Sequence, residues 1–160
     1  MRLNSAKTDM SSDSKVAQKI RFQKILVAID GSDASMDAAD YAISISKEYN
    51  AELYALHVIR ADVDLFGVHA DSEYTITMKK EGEKYLDKVK LKGNEKTIQI
   101  KPQTIVSINI AGGIVNFAEE NNIDLIVIGT RGLSGFKKLL LGSVAADTIT
   151  YAHCPVMVIK

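Results

Sequence analysis

From Lys24 onward the chain alternates short β-branched apolar runs with longer stretches whose apolar residues recur at helical spacing. That alternation is the pattern of a parallel sheet joined by crossover helices. The run Lys24 to Ile29 predicts a first strand. It ends at Asp30-Gly31-Ser32-Asp33, a cluster of turn and cap residues. Met36, Ala39, Tyr41, Ala42, Ile43 and Ile45 then predict a helix running to about Tyr49 and closed by Asn50. Glu52 to Ile59 predicts a second strand. Ile76, Met78, Tyr85, Leu86 and Val89, set among lysines and glutamates, predict a surface helix from Tyr74 to Lys90. Further on come a third strand within Thr97 to Val106, a helix over Gly113 to Glu120 and a fourth strand over Asp124 to Ile128. A helix within Leu139 to Ala152 and a last strand, Val156 to Ile159, complete the series.

Five strands with helices between them predict a three-layer α/β/α sandwich of doubly wound, Rossmann-like topology, with strand order 3-2-1-4-5. The second, fourth and fifth strands are nearly continuous apolar runs, as expected where helices cover both faces of a sheet. In that order the winding reverses between the first and fourth strands, and ligands of open α/β sheets bind in the crevice at that reversal. Asp30 follows the first strand and Gly129 the fourth, so both face the predicted crevice. Two long irregular stretches remain, a loose loop from Arg60 to Ser72 and the segment from Gly129 to Leu141. Loops of that length are uncommon without a role in binding or motion.

Composition narrows the partners. The 160 residues carry 20 basic and 20 acidic side chains, a net charge of zero, and 46% hydrophobic residues, which fits one soluble domain and gives no general attraction to nucleic acid. The single cysteine, Cys154, excludes an intrachain disulfide and suits a cytoplasmic setting. Residues 1–20 mix charges of both signs with Ser and Asn and lack the apolar run of a signal peptide, so they predict a flexible N-terminal tail before one domain over residues 21–160. No membrane partner is expected.

The segment Gly129 to Ser143 carries the candidate chemistry. Its glycines let a backbone approach a ligand closely, and Ser143 is expected to cap the helix that follows. Free amides at a helix start, reinforced by the helix dipole, form an anion site suited to phosphate. Arg131, Lys137 and Lys138 add positive charge. On residue types alone a glycine-rich connection without a ligand fits equally well.

The spacing Gly129-x-x-Gly132, nine residues, then Gly142-Ser143, together with a first strand ending in aliphatic-Asp, resembles the universal stress protein family in its ATP-binding branch. Leu56 to Ile59, the run NNIDLIVIGTRG and the ending HCPVMVIK are similar to that family's second strand, fourth strand with its loop, and terminal strand; the resemblance runs from about Phe22 to Lys160. It implies ATP as the bound cofactor, with Mg2+ an open addition and AMP or a cyclic nucleotide as alternatives. Asp30 would sit beside the ribose, Ala28 and Ile29 would line the approach, and the Val58 backbone would meet the adenine edge. Ile128, Gly129, Thr130, Arg131 and Gly132 would wrap sugar and phosphates, and Gly142, Ser143 and Val144 would present amides to the phosphate chain. Two departures stand out. Ala145 lies where some ATP-binding members carry a hydroxyl, and Ile108 where the family often has glycine.

Other chemistry is sparse. His57 lies in a strand, His69 in the long loop and His153 beside Cys154, without the spacing of a zinc site. No GxxxxGK[S/T] loop is present, and Asp30 is the one well-placed carboxylate, which disfavours an efficient kinase or ATPase of that class. A nucleotide-dependent regulator with at most slow hydrolysis is the leading reading. A dedicated ATP hydrolase or group-transfer enzyme, and a dimeric stress scaffold without nucleotide, are the alternatives. The apolar last strand, expected at the sheet edge, and the resemblance together imply a homodimer joined there.

Overall fold

The computed structural model describes residues 21–64, 67–69, 72–130 and 141–160. In chain order these form β1 (Lys24–Ala28), α1 (Asp33–Tyr49), β2 (Glu52–Arg60), β3 (Asp62–Asp64), β4 (Gly67–His69), α2 (Glu73–Glu95), β5 (Ile100–Ser107), α3 (Ile110–Glu120), β6 (Leu125–Gly129), α4 (Ser143–Tyr151) and β7 (Val156–Ile159). The main sheet is five-stranded and parallel, ordered β5-β2-β1-β6-β7. This is the predicted 3-2-1-4-5 order, and residues 1–20, predicted as a tail, lie outside the described residues.

Strand alternation divides the core into two layers. Ile25, Val27 and Ile29 of β1 pack with Ala38, Ala42 and Ile43 of α1 and with Leu86 and Val89 of α2. Leu26 of β1 faces the other way, joining Ile126 and Ile128 of β6, Ile114 and Phe117 of α3 and Ala145 of α4. The first two helices thus cover one face and the last two the other, as right-handed crossovers require once the chain reverses direction across the sheet.

The reversal opens the sheet at one end. β1 pairs with β6 only from Ile25↔Leu125 to Val27↔Val127. Beyond that point β1 stays with β2 at Ala28↔Leu56, and β6 stays with β7 as far as Gly129↔Ile159. The opposite end is clasped, because the Asp124 carboxylate accepts from the amides of Gln23 and Lys24 at 3.0–3.3 Å. The crevice therefore widens toward the carboxyl ends of the strands.

Several boundaries depart from the sequence reading. α2 runs past the expected end at Lys90 to Glu95. β5 starts at Ile100, because Thr97 is held in a turn at φ 64°. α3 starts three residues earlier than expected, with Asn109 as its cap accepting from the Gly112 amide at 2.9 Å. The loop expected to be loose contains an antiparallel pair, β3 with β4.

Ile126 has no exposed surface and lies on β6 between Leu26 of β1 and Val156 of β7. Ile126→Ala should lower the unfolding free energy by about 2–5 kcal/mol in urea titration, and a loss below about 1 kcal/mol would show that this layer is not the core.

Candidate functional site

At the open end of the sheet lies a cleft of about 690 Å³, mouth included. One wall is the end of β1, with Ala28, Ile29 and Asp30. The opposite wall is the end of β6, with Ile128, Gly129 and Thr130, followed by Gly142, Ser143 and Val144 at the start of α4. Val58 of β2 lines the floor. Ten residues singled out from the sequence thus converge from four segments of the chain. Arg131 and Gly132, like Lys137 and Lys138, lie outside the described residues.

The β1 wall is built by a hydrogen-bond knot. Asp30 Oδ1 accepts from the Ser32 amide at 3.0 Å and from Ser32 Oγ at 2.6 Å. Ser32 Oγ in turn accepts from the Ser35 amide at 3.2 Å, capping α1, and Ser35 Oγ donates to the Ser32 carbonyl at 2.8 Å. Asp30 is therefore both a turn residue and a wall of the cleft.

The β6 wall joins two chain segments. The Gly142 amide donates to the Thr130 carbonyl at 2.7 Å, and the Thr130 amide to the Ile159 carbonyl at 2.6 Å, so the residues flanking the segment 131–140 are held together. Gly129 is buried within β6 and has no positive φ; it is required because α1 passes too close for a side chain. A Cβ at Gly129 would fall 2.8 Å from the Ala34 carbonyl carbon.

Ser143 does not cap α4 as the sequence led us to expect. The cap position is Gly142, at φ −75° and ψ 158°, and among the described residues no side chain caps the helix start. Ser143 is the first helical residue, where its hydroxyl is displaced from the cap geometry. The Ala146 amide bonds the Gly142 carbonyl at 3.0 Å. By position, the amides of Ser143, Val144 and Ala145 have no carbonyl within the helix to meet, and they carry the positive end of its dipole into the cleft.

β2 contributes a polar edge as well as a floor. The Leu56 carbonyl accepts from the Ile29 amide at 2.8 Å, on the side of β2 that faces β1. Two residues further, Val58 turns its own N–H and C=O to that same side, beyond the end of β1.

The structure adds lining residues that the sequence reading did not select: Ser35, Leu56, Ile110 and Ile114, together with Ala145, which had been noted only as a departure. Ile110 and Ile114 project from successive turns of α3. Ile110 escaped because the paired glycines 112 and 113 put the expected helix start at Gly113, and Asn109 ahead of an apolar run was the available signal; Ile114 lies within the expected helix, but its place on the cleft is decided by packing. Ala145 is buried in the cleft floor. Ile108 is 65% exposed and does not line the cleft.

A resident metal does not fit this lining. Among the described residues no three potential ligands gather, and Asp30 is the one carboxylate on the cleft. Cys154 stands apart from it. Burial, and secondly the charge of Asp124, push its thiol above the ordinary range, so it stays protonated at neutral pH. His57 and His153 bond backbone carbonyls, those of Ile29 and Ile123.

The family model of the universal stress proteins matches residues 21–160. A universal stress protein of Methanocaldococcus jannaschii is 43% identical over 143 residues, covering 87% of this chain and 82% of that protein. The structure of universal stress protein UspA from Lactobacillus plantarum is similar with a TM-score of 0.75 at 26% identity, covering 88% of this chain and 99% of that one. A universal stress protein solved in complex with cAMP has a TM-score of 0.63, also at 26% identity, over 88% of this chain and 98% of its own.

Gly129→Ala should destabilise the fold by about 1–3 kcal/mol with or without ligand, since α1 must move to admit the methyl group. Thermal unfolding of the ligand-free variant checks this, and an unchanged midpoint would mean that Gly129 is needed only for ligand approach.

Proposed function

We propose, given that the chain belongs to the universal stress protein family, that the cleft holds an adenine nucleotide, with ATP the preferred form, and that the bound nucleotide sets a regulatory state. The uncapped start of α4, facing Asp30 across a mainly apolar cleft, is the observation that carries this reading. An anionic group settles where Ser143 and Val144 offer amides, and Gly142, Thr130, Arg131 and Gly132 complete the phosphate loop. The ribose lies between Asp30 and Gly129, with Asp30 Oδ2 turned to its hydroxyls. Adenine fits against Ile110, Ile114 and Ile128, with its polar edge on the Val58 backbone and Ala28 and Ile29 along the entry. The relative solved with cAMP supports an adenine nucleotide as the ligand class.

Holding accounts for the lining better than turnover does. The described lining supplies one carboxylate and neither lysine nor histidine, so phosphoryl transfer would have few groups to position water or neutralise charge. Any Mg2+ would arrive with the nucleotide's phosphates.

A homodimer is part of the same proposal. β7 is an edge strand, paired on one side only, and Met157 is 36% exposed on it. The other edge is better guarded, since β5 carries Pro102 between exposed Lys101 and Gln103. In the described residues no helix is long and apolar enough to cross a membrane, and the chain carries no net charge to draw it to nucleic acid. A cytoplasmic regulator follows as the setting.

Calorimetric titration of the purified protein with ATP, AMP and cAMP should give saturable binding below 1 mM, tightest for ATP. Asp30→Ala should weaken it by about tenfold or more, the worth of one or two hydrogen bonds to a charged group. No saturation at millimolar nucleotide would overturn the reading. Light scattering at about 10 μM should give the mass of two chains, falling to one in Met157→Glu; a wild-type monomer would count against pairing through β7.

A further inference from the structure

His57 lies on β2 between Leu56 and Val58, both of which line the cleft, and strand alternation turns it to the opposite face. There it is buried against α2, with its ring edge-on to Tyr85, centroids 5.9 Å apart at 68°. Its Nδ1 lies 2.8 Å from the Ile29 carbonyl oxygen. A carbonyl can only accept, so Nδ1 is the nitrogen that carries the proton. The Ile29 amide meanwhile donates to the Leu56 carbonyl at 2.8 Å. β2 therefore holds Ile29 at both polar groups, one by its backbone and the other by the imidazole.

The residue on the other side of Asp30 is held from the same direction. Gly31 has φ +85°, and a Cβ there would fall 2.5 Å from the Tyr85 ring, so the ring closes over the Gly31 backbone. Asp30 thus stands between two residues fixed from behind the sheet, while its carboxylate points forward into the knot with Ser32. The last rung of β1 alone would leave the chain direction after Ile29 to the turn. The imidazole bond, together with the longer bond from the Asp30 amide to Ser35 Oγ at 3.4 Å, sets the plane of the Ile29–Asp30 peptide, and that plane determines where the Asp30 side chain begins.

We propose that His57 is a positioning residue of the cleft: through the Ile29 carbonyl, and with Tyr85 backing Gly31, it fixes Asp30 for the ligand without touching the ligand. This rests on the adenine-nucleotide reading of the cleft, and its test is arranged so that the two can fail separately. His57→Asn places an amide nitrogen two bonds from Cβ, as in the imidazole, and retains the donor. His57→Phe fills the space and removes it.

Long-range ¹⁵N NMR of the ligand-free wild-type protein should show a proton on Nδ1 of His57. Protonation at Nε2 alone would overturn the proposal whether or not any variant folds. In the ligand-free variants the amide signals of Asp30, Gly31 and Ser32 should move in His57→Phe and stay near wild type in His57→Asn. Titration with AMP as the probe should then give affinity within about threefold of wild type for His57→Asn and a loss of about tenfold for His57→Phe. Equal losses in both variants with signals moving throughout the sheet, or wild-type affinity in His57→Phe, would contradict the positioning role. If the wild-type protein binds no AMP, the cleft reading fails by itself, and unmoved Asp30 and Gly31 signals in His57→Phe overturn the positioning role independently.

Discussion

The parting of β1 from β6 is the constraint on which the rest of the molecule depends. Their ladder runs for three pairs and stops at Val27↔Val127. Past that point the chain leaving β1 enters α1 on one face, and the chain leaving β6 leads to α4 on the other. Among the described residues nothing bridges the two strand ends, so a sheet whose interior is otherwise closed on both faces acquires an open end. Asp124 prevents the same parting at the other end by gathering the amides of Gln23 and Lys24.

The crevice matters because of what borders it. A helix start offers amide donors that its own geometry cannot satisfy, and α4 begins at the crevice with no side chain among the described residues to cap it. α1 begins there too, but Ser32 closes it and ties it to Asp30. One helix start is thus spent on structure and the other left available, which gives the cleft an anion-attracting side and a carboxylate side. Between them the apolar residues of β2, β6 and α3 exclude water. An elongated ligand with an anionic end, hydroxyls and an aromatic end is matched by that order of surfaces.

Much of this was legible in the sequence because parallel strands covered on both faces leave a strong signal. Val156 to Ile159 and Lys24 to Ala28 were located to within a residue, and the order of the five strands is the usual one for a doubly wound sheet. That Asp30 and Gly129 line the cleft was legible because both stand next to strand ends, whereas Val58 and Val144 came only from the family resemblance. What was not legible depended on contacts distant in the chain. Whether Ser143 or Gly142 caps α4 is decided by where the Thr130 carbonyl draws the Gly142 amide. The reason for Gly129 is the passage of Ala34, almost a hundred positions earlier in the chain. The lining role of Ile110 was hidden by a helix start that two glycines obscured, and His57 read only as a strand residue because its partner is a backbone carbonyl.

The central claim is that one elongated ligand spans from the β2 edge to the start of α4. Following backbone amide signals by NMR while ATP is added to the ¹⁵N-labelled protein tests it most directly. The account predicts saturable shifts at Asp30, Val58, Ser143 and Val144 together, with one common dissociation constant. Shifts confined to other surfaces, or at these residues with unrelated constants, would contradict it.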